Sequence, residues 1–137
     1  MKIARSIVSA FCLLFFSFTF AATTPSPAGR LYVFFNTENF IGVEVRTDVN
    51  PYSHIFSNVG LNYISAGFRL SSSQTRGLYI APMIYYPYNN ELNFAFVAGY
   101  ELRVENLKNL YFSFEGGAKK LNNKPEAFVN FGANFLF

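Results

Sequence analysis

The chain has no tryptophan, one histidine (His54) and one cysteine (Cys12). A lone thiol excludes an intramolecular disulfide, and one imidazole with one thiol is too small a donor set for the usual transition-metal site. No metal ligands and no cofactor are therefore expected. Charge is also scarce: Asp, Glu, Lys and Arg make up 14% of residues, against about 25% in an average soluble domain. A glycine-rich phosphate loop and a basic run are both absent, so no nucleic-acid partner is expected. Helical periodicity is missing as well: from Arg30 onward no window repeats its apolar residues every three to four positions. Nor is there an apolar run as long as the roughly 20 residues that a transmembrane helix needs.

What the chain does have is aromatic residues, which are 20% of the total, with 18 Phe and 9 Tyr. Phe11, Phe15, Phe16, Phe18 and Phe20 fall together in an N-terminal segment that reads as a secretory signal peptide. Lys2 and Arg5 form its charged start, Ile7 to Phe20 its apolar stretch, and Thr19 and Ala21 supply small residues before a cleavage point after Ala21. The expected organisation is a signal peptide over 1–21, a short Pro/Ser/Thr tether over 22–29 and a single domain over 30–137. Cleavage would remove the only cysteine. It would also take Lys2 and Arg5 from a formal net charge of +3, leaving +1.

The domain is a succession of two-residue alternations broken by turn residues, the mark of strands with one apolar face. Ile41, Val43, Val45 and Val49 share a face opposite Gly42, Glu44, Arg46 and Asp48. Leu92, Phe94, Phe96, Ala98, Tyr100, Leu102 and Val104 form an unbroken apolar face opposite Asn93, Gly99, Glu101, Arg103 and Glu105. Ala127, Val129, Phe131, Ala133, Phe135 and Phe137 alternate with Asn130, Gly132 and Asn134. Weaker alternations cover Leu31–Asn36, Ile64–Leu70, Leu78–Tyr88 and Leu110–Lys119, with turn signals at Asn36–Asn39, Ser71–Gln74, Asn89–Asn90, Asn106–Asn109 and Asn122–Pro125. Pro82, lacking a ladder donor, predicts a bulge in its strand. The apolar faces are continuous and aromatic, while the polar faces are sparse and small. That contrast points to a barrel with lipid outside and small polar groups inside, rather than to a solvated sandwich.

The final alternation, Val129-x-Phe131-x-x-x-Phe135-x-Phe137, resembles the C-terminal signature of bacterial outer-membrane β-barrel proteins. The resemblance implies that this strand is the assembly signal and that the barrel assembly machinery is a partner. It further implies that the location is the outer membrane of a Gram-negative bacterium, among lipids and lipopolysaccharide. In size the chain is similar to the OmpA-like and OmpX-like barrels, and its Gly-punctuated strands look like those of the YfaZ group. Such barrels have an even number of antiparallel strands. Seven are clear here. An eighth is placed at Tyr52–Val59, where Tyr52, His54 and Phe56 alternate with Ser53, Ile55 and Ser57. The expected fold is all-β, one antiparallel up-and-down transmembrane barrel of eight strands; fusing Arg30 to Val49 into one bent strand would give six.

The polar faces gather Glu44, Arg46, Asp48, Arg69, Glu101, Arg103, Glu105, Glu115 and Lys119. Mixed signs inside a narrow barrel suit a paired network that fills the interior; a narrow pore, in one chain or in an oligomeric barrel, is the other reading. The segment His54 to Asn58 resembles the His-x-Ser-Asn motif of the lipid A deacylase PagL. The resemblance implies His54 as general base, Ser57 as nucleophile and Asn58 at the oxyanion. Here His54 and Ser57 are three apart, which on a regular strand sends them to opposite faces. The function expected first is therefore non-enzymatic: a structural, surface or lipid-contact role.

Overall fold

Residues 29–89 and 91–137 are described in a computed structural model of the chain. The expected signal peptide and nearly all of the tether lie outside the described residues. The rest forms eight strands: β1 (Gly29–Asn36), β2 (Phe40–Asn50), β3 (Ser53–Gly60), β4 (Tyr63–Ser71), β5 (Leu78–Pro87), β6 (Asn93–Arg103), β7 (Leu110–Lys119) and β8 (Glu126–Leu136). Each pairs antiparallel with the next, and β8 pairs with β1, so the sheet closes into an up-and-down barrel. The short segment around His54 is a strand of its own, which makes the count eight rather than six.

The side-chain period of a strand is two residues, and β5 and β6 divide most cleanly between lumen and exterior. Phe94, Phe96 and Tyr100 of β6 point outward and are exposed, while Asn93, Ala95 and Val97 between them are buried. The same division holds on β5, where Tyr79, Ala81 and Tyr85 are buried and Ile80 and Ile84 exposed. The lumen is more aromatic than the sequence pattern suggested: Tyr32, Phe34, Phe56 and Tyr79 are all buried in it. Glycine makes room for them. A Cβ added at Gly42 would lie 2.5 Å from Phe34 Cζ, and one at Gly99 would lie 2.5 Å from Tyr79 Cζ. The Phe34 and Tyr79 rings thus each lie across a glycine of a neighbouring strand.

Pro82 produces no bulge. The β4–β5 register is the same on both sides of it, from Gly67↔Met83 to Leu70↔Ile80, and only the intervening pairs are missing. The lost donor thus opens a gap in one ladder without shifting it, while on the other side Pro82 stays in register with Phe96. The register shift falls instead between Asp48 and Asn50, where β2 turns into β3.

Gly29 and Phe137 lie at the same end of the barrel, here called proximal. The turns at 37–39, 61–62 and 120–125, with residues 88–89 and 91–92 between β5 and β6, form the distal rim. Asparagines tie these turns together in pairs. Asn39 is fully buried; its Nδ2 donates to the Tyr63 carbonyl (3.0 Å), and its Oδ1 accepts from Asn62 N (2.8 Å) and Tyr63 N (3.0 Å). Asn122 likewise bridges to Leu92 O (3.0 Å) and Phe94 N (3.2 Å). Tyr88 adds a bond from its hydroxyl to Gly60 O (2.6 Å). The barrel closes over a short seam: β1 and β8 are registered only from Tyr32↔Leu136 to Asn36↔Gly132, with Thr37 N–Phe131 O beyond.

Candidate functional site: the lumen and its distal mouth

Charged side chains reach the lumen because Glu44 and Arg46 of β2, Arg69 of β4, Glu101 of β6 and Glu115 of β7 fall on the inner face of their strands. The strongest cluster lies toward the proximal half. Arg46 of β2 donates through Nε to Glu44 and through Nη1 to Glu101 of β6 at 3.0 Å. Arg69 of β4 donates to the same Glu101 oxygen at 3.1 Å. Two carboxylates and two guanidiniums therefore balance, and Arg46, Glu44 and Arg69 are all buried. Aromatic faces complete the surroundings: Arg46 lies 4.1 Å from the Tyr32 ring centroid and Arg69 3.9 Å from that of Tyr79. Stacking of this kind favours a desolvated guanidinium, which is weakly hydrated to begin with.

A second group continues toward the distal end. The Tyr79 hydroxyl donates to Glu115 Oε1 at 2.5 Å, and Asn130 Nδ2 donates to Glu115 Oε2 at 2.7 Å. Asn130 Oδ1 in turn accepts from Thr37 Oγ1 at 3.1 Å and from Glu38 N at 3.2 Å. Around these groups the lumen keeps a cavity of about 40 Å³ bordered by Phe34, Glu44, Phe56, Arg69 and Glu115. That volume admits a few waters, since one water needs on the order of 10–15 Å³. The interior is a packed, hydrogen-bonded core.

Not every expected charge belongs to it. Asp48 is inward but near the proximal opening, where it pairs with Arg30 at 2.5 Å. Lys119 sits at the distal rim, its Nζ 2.8 Å from Glu38. Arg103 and Glu105 are exposed, the first at the end of β6 and the second in the turn after it, so neither joins the network. Arg30 and Glu38, partners that periodicity did not single out, come from the short first strand and its turn.

The His54, Ser57 and Asn58 arrangement is equally plain. His54 shares the inner face, in register with Asp48 and Arg69, and its Nε2 has no hydrogen-bond partner. Ser57 is in register with Val45 and Ala66 on the outer face. No register shift interrupts β3 between them, so base and nucleophile stand on opposite sides of the sheet. Asn58 points inward, and its Nδ2 lies 3.4 Å from Glu44. Among the described residues no three His, Cys, Asp or Glu side chains form a metal-holding group.

The distal mouth holds a second cavity. A cup of about 320 Å³ lies inside the rim, with Tyr63, Met83, Tyr85 and Phe128 on its apolar walls. Tyr63 and Tyr85 meet edge to face at 5.6 Å. Two ion pairs stand above them, Lys119–Glu38 and Lys120–Glu126, each at 2.8 Å. Lys120 is in the left-handed region (φ 57°), held there by the β7–β8 turn. Its hydrogen bond to Glu126 raises its ammonium pKa above the ordinary lysine value. The sequence marked Lys119 as an interior charge but gave no sign of a cup, because its walls come from four different strands.

Comparisons with protein families, with curated proteins and with solved structures found no match to this chain.

Proposed function

We propose that this barrel is an integral protein of a Gram-negative outer membrane, with a structural and surface role and no catalysis. One observation carries the reading: the barrel is inside out. Its exterior presents Phe94, Phe96, Phe112, Phe114, Phe131 and Phe135, each at least 40% exposed, while Glu44, Arg46 and Arg69 are buried in its centre. A water-soluble protein rarely exposes so continuous an apolar surface, whereas lipid requires one, together with a sheet that has no open edge. Strands of 8 to 11 residues suit a tilted crossing of the bilayer, which takes about 9–11. In this reading the proximal end lies in the periplasm and the rim faces outward. Lipids and lipopolysaccharide surround the wall, and the alternation of Val129, Phe131, Phe135 and Phe137 is what the assembly machinery recognises. The packed lumen favours a plug over a pore. With His54 and Ser57 on opposite faces, the hydrolase reading has no working pair.

Heat-modifiable gel mobility of the membrane fraction tests the proposal. The expected result is a compact band in unheated detergent and a slower one after boiling, from protein that only detergent extracts. Protein extracted by carbonate or salt alone, with one mobility in both states, would refute it. Mass spectrometry of the same material should give a mature chain starting at Ala22.

A further inference from the structure

The distal cup has the features of a ligand site that the structural role does not require. Its volume, about 320 Å³, is at the small end of ligand-binding cavities. Its rim is held by the Asn39, Asn122 and Tyr88 bonds, so the shape exists before anything binds. This lowers the ordering cost of binding. Its walls combine aromatic faces with hydrogen-bonding groups, the pairing that fixes and orients a small amphipathic molecule.

The charges choose among ligands. Both lysines that line the cup are already paired, Lys119 with Glu38 and Lys120 with Glu126. A phosphate or carboxylate entering here would meet two carboxylates as well as two ammoniums, and would have to separate both pairs. A lipid chain would bury those four charges against hydrocarbon. A neutral polyhydroxylated ring does neither. Each Lys–Glu pair sets a donor beside an acceptor, which suits two adjacent hydroxyls, one accepting and one donating. The apolar C–H face of such a ring fits against Phe128 and the Tyr63–Tyr85 pair. The Phe128 ring has Lys119 Nζ 5.5 Å from its centroid, so apolar wall and polar pair are neighbours. Tyr85 is buried, so it contributes its ring edge to the floor of the cup and not its hydroxyl.

We infer that the distal mouth of the barrel, between Tyr63, Tyr85 and Phe128 and the pairs Glu38–Lys119 and Lys120–Glu126, binds the neutral sugar ring of a glycan. That the ring is presented from outside the cell rests on the membrane reading above; binding by the folded barrel does not.

The test is amide NMR of the folded barrel in phosphatidylcholine bicelles, free of sugar-based detergent. The probes are methyl glycosides of glucose, galactose and N-acetylglucosamine, each titrated to high millimolar concentration, with inorganic phosphate as the competing chemistry. The expected result is saturable shifts confined to the distal turns and the ends of β5, β7 and β8 for at least one glycoside. Phosphate should leave these residues unchanged. The doubly neutral variant Glu38→Gln/Lys119→Met keeps the cup's volume and charge balance and should weaken binding at least tenfold. Saturation-transfer spectra of the wild type give a second readout, with the ring's C–H face receiving the strongest transfer. No saturable shift with any glycoside, tighter binding of phosphate, or full affinity in the double variant would each overturn the inference. If a glycoside binds, lipopolysaccharide core oligosaccharide compared with free monosaccharide then shows whether the source is a membrane glycan or a soluble sugar.

Discussion

Replacing Glu101 by glutamine is the sharpest test of the lumen. Glu101 accepts from Arg46 at 3.0 Å and from Arg69 at 3.1 Å, so one carboxylate serves two guanidiniums. Each contact carries on the order of 5 kcal/mol of Coulomb attraction at an effective dielectric of about 20. Much of that is offset by the desolvation of all three groups. The size of the effect depends on what the substitution leaves behind. Arg46 keeps Glu44. Arg69, whose side chain is 7% exposed, has no second carboxylate among the ion pairs of the described residues. Breaking a buried pair so that one charge stays uncompensated costs about 3–5 kcal/mol. The Tyr79 ring, 3.9 Å from the Arg69 guanidinium, stays in place and softens the loss by about 1 kcal/mol. Glu101→Gln should therefore cost about 3 kcal/mol. Adding Arg69→Met restores charge balance around the surviving Glu44–Arg46 pair and fills the vacated stem with apolar atoms. The double variant should recover to within about 1 kcal/mol of wild type, about 2 kcal/mol better than Glu101→Gln alone. With no tryptophan to report by fluorescence, the folded fraction against urea in lipid vesicles is best read from unheated gel mobility. The reasoning fails if Glu101→Gln loses less than about 1 kcal/mol, or if the double variant is no more stable than the single one.

Other substitutions test other parts of the frame. Asn39→Ala removes the partner of three backbone groups on Asn62 and Tyr63. It should cost about 2–3 kcal/mol and speed amide exchange at those two residues first. Gly99→Val drives a Cβ to within 2.5 Å of Tyr79 Cζ. A lowered urea midpoint corresponding to about 1–3 kcal/mol is expected, with part of it returned by Tyr79→Ala in the same chain. The raised Lys120 pKa means that its pairing with Glu126 helps the fold below the ordinary lysine range and is lost as pH rises through the shifted value. Lysine NMR should place its midpoint above that of a free lysine, and Glu126→Gln should return it.

Much of this architecture was legible from the two-residue period. Eight alternations were placed on the chain, and the strands fall within a few residues of them, because a wall with two chemically opposite faces leaves its mark at every second position. The same period assigned Glu44, Arg46, Arg69, Glu101 and Glu115 to the inside. It says nothing about height along the barrel. Arg103 has the parity of Glu101 and yet lies past the lumen's end. Nor does it give stagger, and stagger sets the partners. Arg46 meets Glu101 across the lumen from a strand that is not its neighbour, and Glu38 meets Lys119 only because β1 ends near the middle of β8. Asn39 looked like an ordinary turn residue. Its role depends on a second turn, at Asn62 and Tyr63, that local sequence cannot bring to it. The bulge expected at Pro82 failed for a simpler reason: losing one donor is a smaller disturbance than inserting one residue.

The seam between β1 and β8 has a consequence for how the molecule comes into being. Seven of the eight strand pairings join consecutive strands, so they zip up from nearby turns at small entropic cost. The eighth joins Tyr32–Asn36 to Gly132–Leu136, nearly the whole described length of the chain apart, and over a short stretch only. Little enthalpy therefore rewards the largest loop closure in the fold, and the rate of folding should be governed by that one event. Until it happens, the open sheet has two unpaired edges. Substitutions at Ala133 or Val33, which sit on the seam, should slow assembly far more than equal losses of stability placed in the β5–β6 or β6–β7 hairpins.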